Sequence, residues 1–66
     1  MQEYIGKDMQ LIYNDSKGNV STHIVRVIIA GKARFIAYCY TAQSVRTFHK
    51  NGVLDLEVLE YGKATG

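Results

Sequence analysis

Ala33-Arg34-Phe35-Ile36-Ala37-Tyr38-Cys39-Tyr40 decides the fold of this chain. In an extended strand the side chains alternate between two faces, so Ala33, Phe35, Ala37 and Cys39 share one side. That set is small and apolar and makes a natural core. Arg34, Ile36, Tyr38 and Tyr40 share the other side, where a guanidinium sits among phenol rings. The stretch is predicted to be a strand with a dry face and a chemically mixed one.

Working outward toward the N-terminus, Gly31-Lys32 reads as a tight hairpin turn. Before it, residues 20–29 are dominated by β-branched side chains, namely Val20, Thr22, Ile24, Val25, Val27, Ile28 and Ile29, which favour a second strand. The run Asn14-Asp15-Ser16-Lys17-Gly18-Asn19 consists of turn formers. Residues 9–13 place Met9, Leu11 and Tyr13 on one face and Gln10 and Ile12 on the other. Residues 2–7 are too short for a stable helix and leave room for one turn of α- or 3₁₀-helix.

Toward the C-terminus, residues 41–44 turn and residues 45–48 make a fourth strand. There Arg46 and Phe48 fall on one face, Val45 and Thr47 on the other. Asn51-Gly52 interrupts the chain, both residues tolerating left-handed backbone angles. Residues 53–61 alternate, Leu54, Leu56 and Val58 against Asp55 and Glu57, which predicts a fifth strand. The tail, residues 62–66, is expected to fray. Five short strands at near-regular spacing predict an all-β domain spanning residues 1–66. Its core lies in about 5–59, and the strands form a closed or nearly closed five-stranded antiparallel barrel.

Sixty-six residues bury only roughly 60% of the surface of the unfolded chain. Domains below about 70–80 residues often rely on a staple. Cys39 is the only cysteine, which excludes a disulfide within the chain. The two histidines, His23 and His49, lack metal-ligand spacing, and no metal or cofactor is expected. Elimination leaves good packing or self-association, so a homodimer is the expected assembly. No apolar run approaches the roughly 18 residues of a membrane span, and residues 1–7 lack the pattern of a signal peptide. No membrane contact and a cytoplasmic location follow as expectations.

The formal charge is +2, and its distribution matters more than its size. Residues 20–52 carry Arg26, Lys32, Arg34, Arg46 and Lys50 with both histidines and no Asp or Glu. A single-sign middle between acidic flanks predicts a basic surface for an anion. Basic residues interleaved with aromatics at strand spacing are what single-stranded nucleic acid platforms use. Arginine adds a forked donor that matches phosphate. The opposing reading has Tyr38 and Tyr40 capping a small core while Arg46 pairs with Asp55 or Glu57. Nucleophilic catalysis has one candidate pair, Cys39 with His23 or His49. A cysteine in mid-strand ordinarily behaves as a small hydrophobe. There is no Walker or dinucleotide loop, so no enzyme is expected.

Ala37-Tyr38-Cys39, six further residues, and then Arg46-Thr47-Phe48 form a pattern that resembles the most recognisable part of the WYL domain. In that family such a segment precedes an Arg-x-Phe-Arg motif. Leu11-Ile12-Tyr13, followed by Asp15, Gly18 and Val20-Ser21, resembles the family's opening hairpin. Asn51 and Val53 stand where its strand-ending Asp-Arg-Ile sits. The similarity covers roughly residues 5–59. Ala33-Arg34-Phe35 occupies the place of the naming Trp-Tyr-Leu, His49 that of the second Arg of the motif, His23 that of a usual Arg, and Val27 that of a usual Pro. The resemblance implies an Sm-like (Src-homology-three-like) barrel and a bacterial regulatory module. In that family the barrel usually stands behind a DNA-binding domain in transcriptional regulators, or occurs in phage-defence proteins. It senses nucleic acid or nucleotides through a basic pocket. Here it implies a sensor module alone, acting on a protein partner. Carried over by position, Tyr38 and Arg46 match the family's ligand-binding site, Phe48 packs beside them, and His49 replaces a basic contact. With Arg34, which takes the place of a pocket-proximal Tyr, the expected ligand-binding set is Arg34, Tyr38, Arg46 and His49. The competing expectation is a protein-interaction or oligomerisation module whose basic face is incidental.

Overall fold

The computed structural model describes residues 1–59. The expected frayed tail and the last two residues of the expected fifth strand lie outside the described residues. A single turn of 3₁₀-helix, Gln2–Tyr4, is followed by strands β1 (Asp8–Asn14), β2 (Val20–Ala30), β3 (Arg34–Cys39) and β4 (Ser44–His49). A second 3₁₀ turn, Lys50–Gly52, leads into β5 (Val53–Val58). All five strands join one antiparallel sheet in the order β4-β3-β2-β1-β5. Four strands thus follow one another as a meander, and the fifth returns to pair with the first.

The alternation in β3 behaves as its residues dictate. Phe35, Ala37 and Cys39 are buried, and Arg34, Ile36 and Tyr38 face away. Directly paired residues point to the same face, so the register extends this division across the sheet. Met9 and Leu11 of β1, Val25 and Val27 of β2, and Phe48 of β4 complete the core. Leu56 and Val58 of β5 pack against it from the edge.

The sheet curls, because Phe48 near the end of β4 reaches β1. Its ring meets Tyr13 edge-on at 5.0 Å and stacks on Phe35 at 5.5 Å. The Tyr13 hydroxyl accepts a 2.9 Å hydrogen bond from the His49 backbone N–H. Curling does not become closure. Among the described residues no ladder joins β4 to β5, which remain the two edges of an open sheet. The expectation of a closed barrel is corrected on this point. The Lys50–Gly52 turn links β4 to β5 in three residues, but β5 spends its ladder on β1. Gly52 is required at that corner, since a Cβ there would lie 2.6 Å from the Asn14 carbonyl oxygen and 2.7 Å from the Tyr13 ring.

Two local features shape the outer surface. Between Val27 and Ile29 the β2–β3 register slips by one residue, a bulge that re-aims the chain. It lies where the N-terminal segment docks, with Gly6 N–H donating to the Val27 carbonyl at 2.9 Å, and it leaves Ile28 and Ile29 exposed. In the β1–β2 turn, the Asp15 carboxylate accepts from the Lys17 and Asn19 backbone N–H groups, both at 2.9 Å. Gly18 completes that turn at φ +84°, where a Cβ would be strained.

Cys39 is fully buried in the core. Native protein is therefore expected to react slowly with a thiol reagent, at a rate that climbs as urea unfolds it. Rapid, complete labelling without denaturant would mean that β3 presents its other face to the core.

Candidate ligand-binding face

The β3–β4 register separates the four residues expected to bind ligand. Arg34 pairs with His49, and Tyr38 pairs with Val45, all on the outer face. Arg46 pairs with Ala37, whose side chain is buried in the core. Arg46 therefore lies on the inner side of edge strand β4, exposed to solvent at the rim. The physical reason is Phe48. It must enter the core, and Arg46, two residues away, follows it to that face. Three of the four residues share a surface, and His49 reaches it through strand pairing with no bend at residues 50–52.

A shallow groove of about 410 Å³ runs across the outer face, lined by Ile29, Gly31, Arg34, Phe35, Ile36 and Thr47. Ile29, Ile36 and Thr47 form one cross-strand row. Arg34, which lines the groove, and His49 form the next row on one side, and Tyr38 and Val45 form the row on the other side, outside the lining. Arg34 and Tyr38 are four residues apart on one strand, about 13 Å at strand rise. The groove thus has a largely apolar lining that includes the Arg34 side chain, and the Tyr38 ring lies one row beyond it. Among the described residues no hydrogen bond or salt bridge engages the Arg34 or Arg46 guanidinium.

Arg26 contributes less than a count of basic residues implies. Its Nε donates to the Asp8 carboxylate at 2.9 Å and one terminal nitrogen donates to the second carboxylate oxygen at 3.3 Å. The Tyr40 hydroxyl donates to the same carboxylate at 2.8 Å. The Arg26 hydrogen bond, helped by the Tyr40 hydroxyl and opposed by partial burial, holds the Asp8 carboxyl below its ordinary range. The Asp8 contact raises the Tyr40 phenol. A second groove of about 510 Å³, lined by Asp8, Ile24, Tyr40 and Thr41, adjoins this cluster. Its one carboxylate is already committed, so it offers little to a charged ligand. The Tyr40 ring also packs edge-on against Tyr38, with centroids 5.2 Å apart. Reading residues one at a time missed this network. Asp8 and Arg26 are direct cross-strand partners, and only the β1–β2 register brings them together.

The depressed Asp8 carboxyl makes folding stability fall in acid. A carboxyl depressed in the folded state stabilises fully above its unfolded value, about 3.9, and loses that contribution as pH falls through the folded value. Urea midpoints of the wild type are expected to drop below about pH 4. Asp8→Asn should flatten that limb and lower the midpoint at neutral pH. An unchanged acid limb in Asp8→Asn would show that the contact contributes nothing to folding.

Cys39 and His23 do meet, with Sγ 3.7 Å from Nδ1, and Ser21 Oγ lies 2.8 Å from His23 Nε2. The thiol is fully buried, so a substrate has no path to it in this conformation. Among the described residues no three His, Cys, Asp or Glu side chains gather in a metal-binding group. No helix among them is long and apolar enough to cross a membrane. No family model, curated protein or solved structure matches this chain.

Proposed function

We propose that the outer face of β3 and β4 binds a phosphate-bearing ligand, short single-stranded nucleic acid first among them, in a non-enzymatic regulatory role. The observation that carries this reading is the pairing of Arg34 with His49 beside an apolar groove, with Tyr38 one cross-strand row beyond it. The guanidinium supplies a forked donor for phosphate. The exposed Ile29 and the Tyr38 ring supply apolar surface for bases, whose stacking needs no particular sequence. Residues 20–52 carry no Asp or Glu, and the Asp8 carboxylate in Tyr38's cross-strand row is already paired with Arg26. The resemblance to WYL domains supports the assignment at Tyr38, and His49 stands where that family has an Arg. Arg46, its other matching position, contributes to the field from the rim and not to the groove. On this reading the curled sheet, with β5 returned to β1, corresponds to the family's Sm-like barrel left unzipped between β4 and β5.

Exposed apolar side chains on the same surface, Ile29 and Val45, favour a second reading in which the face docks a protein. Fluorescence anisotropy of labelled oligonucleotides over a salt series separates the two. Neutralising two phosphates on a single strand gives a log–log salt slope of about −1.4. His49→Arg is expected to tighten binding by adding a forked cation beside Arg34. Absence of binding to every oligonucleotide at low salt would leave the protein-docking reading in its place.

A further inference from the structure

Charge is graded along the outer face of β3 and β4. The Arg34–His49 row is the last of that ladder, since β3 begins at Arg34 and β4 ends at His49. Two further cations flank it. Lys32 lies two residues before Arg34 in the β2–β3 turn. Lys50 follows His49, and its N–H donates to the Ala33 carbonyl at 2.9 Å. Lys32, Arg34 and His49 are exposed and Lys50 is half-buried. The next row, Ile29, Ile36 and Thr47, carries no charge. In the row beyond it, the one cation, Arg26, is neutralised by Asp8.

Two acidic groups that approach the basic end are engaged elsewhere. Glu3, which feels the Lys50 charge, pairs with the Met1 ammonium at 3.1 Å. Asp15, which lines a small hollow together with His49, accepts from the Lys17 and Asn19 backbone N–H groups. The surface is therefore strongly basic at one end and close to neutral a short way along β3.

An internal phosphodiester carries one charge, repeated evenly along a strand, and cations spaced along the whole face would match it. Cations gathered at one end match a ligand whose charge is gathered at one end. A terminal phosphomonoester is such a group, with about −1.5 to −2 charges at pH 7 and three acceptor oxygens. Resting on the binding face described above, we propose that this end captures the terminal phosphomonoester of a short nucleic acid strand, whose bases then run along β3 toward Tyr38. The Arg34 fork takes two of the oxygens. The His49 ring, directly across the ladder at about 4.5–5.5 Å between Cα atoms, donates to the third from a ring nitrogen. Lys32 and Lys50 deepen the local field that draws the dianion in. The first base lies over Ile36 and Thr47, about 7 Å along the strand, and the second reaches the Tyr38 ring at about 13 Å.

Isothermal titration calorimetry with unlabelled strands tests this. A four-nucleotide oligothymidylate phosphorylated at its 5′ or its 3′ end holds as many phosphates as a five-nucleotide strand with hydroxyl ends. One of the two phosphorylated strands should bind about tenfold tighter than the hydroxyl-ended one, from the added charged hydrogen bonds. Thymidine monophosphate, which has no second base for Tyr38, should bind at least about tenfold more weakly than that strand. The double variant Lys32→Gln, Lys50→Gln should shrink the end preference to about threefold or less, with circular dichroism confirming the fold. Equal affinity of the phosphate-matched strands, an end preference that survives in the double variant, or a mononucleotide that binds as tightly as the strand would overturn the proposal and leave the binding face standing. No binding by any strand would remove the face and the proposal together.

Discussion

Phe48→Ala is expected to remove a large share of the domain's stability at room temperature. Phe48 is 3% exposed and is the only core residue supplied by β4. Its ring touches Tyr13 of β1, His23 of β2 and Phe35 of β3, with centroids 5.0, 5.6 and 5.5 Å away. Truncating a buried Phe costs about 3–5 kcal/mol, lost transfer energy plus the cavity left behind. A folded domain holds roughly 0.05–0.15 kcal/mol per residue, which for this length is about 3–10 kcal/mol in total. One side chain thus accounts for a large share of the stability, as expected where β4 has no second ladder to hold it. Val45→Ala is the control, an exposed position on the same strand, expected to change stability by less than about 0.5 kcal/mol. Urea unfolding followed by circular dichroism reads both. A Phe48→Ala loss below about 1 kcal/mol would mean that β4 does not close over the core.

The second large effect separates two arginines that composition treats alike. Arg34→Ala is expected to weaken oligonucleotide binding by about 1.5–3 kcal/mol, the range for a charged hydrogen bond, or roughly 10- to 150-fold. Arg46→Ala should change it by about twofold or less, because a rim charge outside the groove acts only through a screened field. The resemblance alone ranks these residues the other way, with Arg46 as a matching position and Arg34 as a departure. The strand register reverses the order. Equal losses in the two variants would return Arg46 to the site and imply that the ligand wraps the β4 edge.

Much of the fold can be read from particular residues. Small and apolar side chains alternate with Arg34, Ile36 and Tyr38 in β3 strictly enough to fix its buried face, and Leu56 and Val58 against Asp55 and Glu57 do the same for β5. The turns are carried by Asn14 to Asn19 and by Gly52, whose missing Cβ is a steric necessity. Pairing is harder to read, because it depends on loop geometry and on contacts distant in sequence. The Asp8–Arg26–Tyr40 network joins residues 18 and 32 positions apart, and no local pattern announces it. Closure is of the same kind. Five strands of suitable length are compatible with a closed barrel, but β5 pairs with β1 and leaves β4 unpaired on one side.

The division of the candidate site was partly visible. Arg46 and Phe48 share a strand face by simple alternation, and a Phe in a core this small has to be buried. The apolar side chain therefore decides where the charged one goes. Arg34 and His49 could not be matched in this way. Their pairing depends on the four-residue turn between β3 and β4, which sets the register without a distinctive sequence signal.

Ligand binding at the outer face of β3–β4, and at no other surface, is open to a direct test. Amide chemical-shift mapping of labelled protein titrated with a short oligothymidylate at low salt tests it most directly. The account predicts progressive, saturable shifts at Arg34, Ile36, Tyr38, Thr47 and His49, reversed by added salt, with β1 and β5 nearly unmoved. Shifts confined to β1 and β5, or no shift anywhere at low salt, would contradict it.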